Sequence, residues 1–108
     1  NGILRIAIPD FEQLLKVYNQ TSRLGDILGP LYGKWELNKS NHIYHKTVYD
    51  FNSICKLLEE NNFNDIKKWD WKKVFAQNDS YDDHSQAYFP HMDKENGILV
   101  SLNIECKK

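Results

Sequence analysis

The 108 residues predict a small α/β domain in which a helical crossover joins two parallel strands and a third strand runs antiparallel to them. Three observations carry that prediction. Ile3-Leu4-Arg5-Ile6-Ala7-Ile8 is a short, nearly continuous apolar run, the pattern of a strand covered on both faces. Phe51, Ile54, Leu57 and Leu58 recur at helical spacing behind a capping Asp50. Ile98, Val100, Leu102, Ile104 and Cys106 alternate with Leu99, Ser101, Asn103 and Glu105, the two-residue period of a strand.

In the first strand, Leu4, Ile6 and Ile8 share one face, and Ile3, Arg5 and Ala7 the other. Pro9-Asp10 ends it. Asp10 suits a helix N-cap, and Gln13 stands where a capping box wants Glu or Gln. Phe11, Leu14, Leu15 and Tyr18 then form one amphipathic stripe. Leu24, Ile27, Leu28 and Leu31 repeat the spacing, but Gly29-Pro30 interrupts it, predicting a helix to about residue 28 and then a turn. Gly25, Gly29 and Gly33 read as turn residues, not a phosphate cradle, because no strand feeds directly into them. Residues 34–49 show no period. The helix over 51–61 ends with Asn62 in a left-handed position and Phe63 folding back. A strand follows at about 65–71, with Ile66, Lys68 and Asp70 opposite Lys67, Trp69 and Trp71. Residues 72–96 form a long irregular stretch, and Gly97 opens the last strand, Ile98 to Cys106. The crossover makes the first two strands parallel and right-handed. The third returns from the loop and runs antiparallel between or beside them.

Composition narrows the functions. With 14 basic and 15 acidic residues the formal net charge is −1, which excludes a polybasic nucleic-acid module. No apolar run is long enough for a membrane span. The 13% aromatic content argues for a folded chain, read as one domain over 1–108. Cys55 and Cys106 are too few for a disulfide framework, and both lie beside apolar stripes as small buried hydrophobes. No secretory leader pattern is visible, so the expected compartment is the cytoplasm.

Several segments carry a resemblance. Asn1-Gly2-Ile3-Leu4-Arg5-Ile6-Ala7-Ile8-Pro9-Asp10 resembles a Gly-Gly–strand–Pro-Asp block. His45-Lys46-Thr47-Val48-Tyr49-Asp50-Phe51 through Leu57-Leu58-Glu59-Glu60-Asn61-Asn62-Phe63 is similar to a His-…-Leu-Leu-Glu-x-x-Gly-Phe helix, with Asn62 in the glycine's place. Trp69-Asp70-Trp71 and Ile98–Cys106 resemble the end of a sixth strand and a seventh, antiparallel one. Asp82 to Asp93 looks like a signature of bacterial members found beside sugar-modification genes. Together these blocks resemble the C-terminal half of class I S-adenosylmethionine-dependent methyltransferases, over essentially the whole chain. The resemblance implies a three-stranded half of a Rossmann-like sheet carrying the substrate-side lobe. The family's cofactor site lies in its other half, on a glycine-rich loop and a carboxylate. This chain has no Gly-x-Gly-x-Gly; its glycines are Gly2, Gly25, Gly29, Gly33 and Gly97. The expected reading is a methyltransferase-related partial domain, inactive alone. S-adenosylmethionine would belong to the full-length family and not to this chain. The missing N-terminal half of a longer gene product would be one partner. The alternative is a free-standing assembly or binding module that dimerises through its exposed sheet edge.

Ligands of open α/β sheets bind outside the carboxyl ends of parallel strands. That rule gathers Asp10 and the irregular segments 34–49 and 72–96 at one edge. These segments hold His42, His45, His84, His91, Tyr88, Asp82, Asp83 and Asp93. His45, by its place in the resemblance, and then His91 are the candidate general bases. Asp10, Tyr88 and His84 are the candidate substrate-binding residues. On the ordinary reading the same side chains cap loops and fill gaps. His42-x-x-His45 with His84, His91 and Asp93 could be imagined around a metal. No Cys-x-x-Cys or His-Glu-x-x-His pattern supports it, and no metal is expected. Finally, the strand at 3–8 has nothing in its outer neighbour's place. Ile3, Leu4, Ile6 and Ile8 then predict an apolar, unpaired edge and a two-fold homodimer.

Overall fold

Alternation along β7 (Ser101–Lys107) turns Leu102, Ile104 and Cys106 to one face and Ser101, Asn103 and Glu105 to the other. The structure, a computed structural model, describes residues 2–77 and 85–108. In it β7 is the middle strand, with β1 (Ile3–Pro9) on one side and β4 (Asn64–Lys68) on the other. Both pairings are antiparallel. Ile3 stands opposite Lys107 and Pro9 opposite Ser101. On the other side Asn64 stands opposite Lys107 and Lys68 opposite Ile104, with a register shift between Asn64 and Lys67. Asp65 takes the shift with a left-handed φ of 51°.

This corrects the expected architecture. No two hydrogen-bonded strands of the described sheet run parallel, so the half of a Rossmann-like methyltransferase sheet, with two parallel strands and one antiparallel, is not what forms. β1 and β4 point the same way, but β7 lies between them and takes the hydrogen bonds of both. The helical crossover therefore leads to a strand that β1 does not pair with. The only parallel pairing among the described residues is an isolated bridge between Asp10 and Tyr49.

One face of the sheet is floored by α3 (Phe51–Glu60). Its start is fixed by a reciprocal cap: Ser53 N–H donates to Asp50 Oδ1 at 2.8 Å, and Asp50 N–H donates to Ser53 Oγ at 3.0 Å. Ile54 and Leu58 then point at Leu102, Ile104 and Cys106, with Ile6, Ile8 and Ile66 around them. Burying each such aliphatic side chain stabilises by about 1.5–3 kcal/mol. Asn62 turns left-handed at φ 68°, and Phe63 N–H reaches back to Leu58 O at 3.0 Å, which returns Phe63 to the same core. The opposite face is ionic. Arg5 Nε lies 2.8 Å from Glu105, Lys67 joins Glu105 at 3.5 Å, and Lys107 pairs with Asp65 at 3.2 Å. β1 is thus apolar on one face only and half exposed, not covered on both faces.

A second core lies beyond the end of the sheet. α1 (Phe11–Thr21) contributes Leu14 and Val17, and α2 (Gly25–Tyr32) contributes Ile27 and Leu31. They pack against Val100 and a two-stranded ribbon of β5 (Tyr88–Phe89) and β6 (Ile98–Leu99). Gly29-Pro30 does not end α2. Pro30 removes one donor from the last turn, but Leu31 reaches the core, and Gly33 closes the helix at φ 56° with its N–H on Gly29 O at 2.8 Å. The expected single strand over 98–106 is broken at Val100, whose N–H donates to Ala87 O at 2.9 Å. The strand expected to reach residue 71 stops at Lys68, because Asp70 caps a short helix, α4 (Trp71–Val74). A small hairpin, β2 (Trp35–Glu36) with β3 (His42–Ile43), occupies part of the aperiodic stretch. Among the described residues no helix is long and apolar enough to cross a membrane.

Candidate functional site

The ends of β1 and β4 and the start of β7 meet at one end of the sheet. Asp10 is fixed there from both directions. Its N–H donates to Val100 O at 2.8 Å, and its Oδ1 accepts from Glu12 N–H at 3.1 Å as the cap of α1. Trp69 N–H donates to Asn103 O at 3.2 Å. Asn103 Nδ2 donates to Gln86 Oε1 at 2.7 Å, Gln86 Nε2 to Ser85 Oγ at 3.1 Å, and Ala87 N–H to Ser101 Oγ at 2.9 Å. Residues 85–87 are thereby stitched across the polar face of β7.

A cleft of about 260 Å³ opens here, lined by Asp10, Gln13, Lys68, Trp69, Ser101 and Asn103 among others. Two of its residues carry a buried polar atom without a hydrogen-bond partner: Trp69 Nε1 and Asn103 Oδ1. Such an atom costs about 1–3 kcal/mol, and native folds hold few of them.

The expected site residues do not all gather in this cleft. Asp10 lines it. His45 sits elsewhere, over the end of α2. Its N–H donates to Tyr32 O at 2.8 Å, and its ring Nδ1 lies 3.1 Å from Leu31 O. A carbonyl can only accept, so in the neutral ring Nδ1 carries the proton and Nε2 is left as an acceptor. His45 lines separate clefts of about 240–260 Å³, two of them bounded by Ala7, Ile8 and Pro9 of β1. Tyr88 is buried, and its hydroxyl accepts from Trp71 Nε1 at 3.0 Å, so it packs α4 against the ribbon. His91 is exposed in the turn that follows Pro90 and lines neither cleft. His84 lies outside the described residues, as do Asp82 and Asp83. His42 is paired with Glu36 at 3.3 Å on the small hairpin. Among the described residues no group of three His, Cys, Asp or Glu side chains could hold a metal.

Comparison with known protein families, with characterised proteins and with solved structures finds no match for this chain.

The outer edge of β1 is the second conspicuous feature. The register that pairs Ile8 with Leu102 continues to Asp10, whose N–H goes to Val100 O. In an antiparallel pair such bonds alternate, so Leu4, Ile6 and Ile8 bond to β7 while Ile3, Arg5 and Ala7 turn their N–H and C=O groups outward. Pro9, which has no N–H, falls on an outward position, where proline does no harm. Ile3 is 59% exposed and Leu4 37%. The other edge is different: β4 is short, bears the register shift, and displays Lys67 and Lys68.

Of the polar residues at this cleft Asp10 was expected, whereas Asn103 and its partner Gln86 were missed. Gln86 is 1% exposed and Asn103 4%; each lies inside a block that carries the resemblance but was not singled out there. Ser101 and Asn103 on the polar side of an otherwise apolar strand were the available signal. Gln86 carried no sign of its own within the Asp82 to Asp93 block. The charges on the ionic face are mutually tuned. The Arg5 guanidinium holds Glu105 below the usual carboxylate range, and Lys107 does the same for Asp65. Burial pushes the Cys106 and Cys55 thiols up, which suits packing and not nucleophilic attack.

Proposed function

We propose that this chain is an assembly module whose β1 edge pairs with β1 of a second copy. The observation that supports the reading is the contrast between the two sheet edges. Exposed strand edges are templates for further pairing, and proteins blunt them with lysines, bulges and short strands. β4 carries all three devices, whereas β1 offers outward N–H groups at Ile3, Arg5 and Ala7 and exposed apolar side chains at Ile3 and Leu4. Antiparallel pairing of two β1 strands about a two-fold axis lets one surface satisfy both copies and closes the assembly at two. The result is one six-stranded sheet. The bridge between Asp10 and Tyr49 brings another segment beside the end of β1, which confines pairing to the Ile3 half of the strand. The unbridged Cys55 and Cys106 suit a reducing compartment such as the cytoplasm.

Sedimentation at micromolar concentration tests the reading. The native chain is expected to be a dimer. Arg5→Ala removes the ion pair to Glu105 but keeps the outward N–H, and should remain dimeric. Arg5→Pro removes that N–H without touching the β7 bonds, and should be a folded monomer. Ile3→Lys, which sets a charge on the same exposed edge, should give a monomer as well. A monomeric native chain, or dimers that survive both Arg5→Pro and Ile3→Lys, would refute it.

A further inference from the structure

The two buried, unpartnered atoms Trp69 Nε1 and Asn103 Oδ1 belong to residues joined by a backbone hydrogen bond and lining one cleft. One atom is a donor and the other an acceptor. A hydroxyl is the smallest group that answers both, accepting from the indole and donating to the amide. Asp10 Oδ1 caps α1, and the Lys68 ammonium rests 5.1 Å from the centre of the Phe51 ring. The two orphan atoms, an indole N–H and an amide oxygen, belong to uncharged groups, and Gln13 adds a further amide to the wall. The cleft volume of about 260 Å³ far exceeds one water's share of about 30 Å³.

We propose that this cleft binds a small, neutral, polyhydroxylated molecule of monosaccharide or polyol size, with one hydroxyl shared between Trp69 and Asn103. Both protein groups are held in place. The Arg5 guanidinium lies 5.0 Å from the centre of the Trp69 ring, and Phe75 meets that ring edge-on at 6.4 Å. Gln86 engages Nδ2 of Asn103 and so leaves Oδ1 as the arm for the ligand. Neither orphan atom touches solvent, so a ligand hydroxyl reaches them with a side-chain shift in the cleft wall. The cleft lining includes no outward residue of β1, and Arg5, which meets the Trp69 ring, is left native in the test below.

Nitrogen–proton correlation spectra of the full chain test this during titration with D-glucose, D-ribose and myo-inositol at millimolar concentrations, with glycine as a zwitterionic probe. The expected result is a saturable shift of the Trp69 indole N–H with at least one of the three hydroxylated probes and none with glycine. The Trp71 indole, which donates to Tyr88, should not respond. Gln13→Ala should weaken the response about tenfold, a change of about 1.4 kcal/mol, and leave the fold unchanged. No saturable Trp69 shift with any hydroxylated probe would overturn the proposal. So would a shift shared by the Trp71 indole, saturation by glycine alone, or an affinity unchanged in Gln13→Ala.

Discussion

The imidazole of His45 rests against Gly33 so closely that a Cβ on the glycine would stand 2.2 Å from Cε1 and 2.4 Å from Nε2. Gly33 also holds a φ of 56°, the left-handed conformation that closes α2. Backbone geometry and ring contact therefore both demand glycine here. Gly33→Ala should lose about 1–2 kcal/mol to the left-handed backbone alone, and more through displacement of the ring. In a His45→Ala background only the backbone part should remain. Urea unfolding of the four proteins in that cycle measures the difference. Equal costs in both backgrounds would mean that the ring contact contributes nothing.

Tyr88→Phe should destabilise by about 1–3 kcal/mol, because Trp71 Nε1 would stay buried without its acceptor. Adding Trp71→Phe removes the donor as well, so the double variant should lose less than the sum of the two single ones. Thermal unfolding of the set decides it. Additive losses would indicate that the 3.0 Å bond carries no coupling.

Ile104 is fully buried between α3 and the sheet. Ile104→Ala should cost about 2–5 kcal/mol by leaving a cavity under Ile54 and Leu58. Leu15, 43% exposed on α1, is the matched control. Leu15→Ala should stay within about 0.5 kcal/mol, measured by chemical denaturation.

Acid stability follows from three carboxylates held below their ordinary values. Asp50 is lowered by its bonds from Ser53, Asp65 by Lys107, and Glu105 by Arg5. A group with a depressed folded pKa binds its proton more readily in the unfolded chain. Its contribution is therefore full above the unfolded values, about 3.9 for Asp and 4.3 for Glu, and is lost as pH falls through the folded ones. Stability should be flat in these groups above about pH 5.5 and fall below about pH 4.5. Glu105→Gln should make the acid limb shallower, because one carboxylate that binds its proton more readily in the unfolded chain is gone. An unchanged acid slope in that variant would contradict the Arg5–Glu105 assignment.

What could be read from the sequence was what the chain settles within a few residues. Asp10 and Asp50 announce helix starts because a cap reaches only two or three residues ahead. Asn62 and Phe63 announce a helix end for the same reason. The break at Val100 was hidden, since it depends on Ala87, and so was α2 running through Pro30, since Leu31 is held by a core assembled from distant elements. The parallel sheet failed on the same ground: a crossover sets which way a strand points, but the neighbour it bonds is decided by β7. In the site, Asp10 was legible as a local cap. The Asn103–Gln86 pair was not, because two amides seventeen positions apart announce themselves only when buried together.

The middle strand of the sheet is the last of the three along the chain, and its register sets Ile3 against Lys107, almost the full length of the sequence apart. Until β7 arrives, β1 and β4 have no hydrogen-bonded neighbour in common, and the apolar face of α3 has no floor. Folding of this sheet must therefore wait on closure of a loop that spans nearly every other element. Such non-local pairing folds more slowly than a helical bundle, whose contacts are local. During that wait the apolar strand Ile3–Pro9 is open to any other strand it meets. The interval before β7 docks is when this chain is most exposed to mispairing.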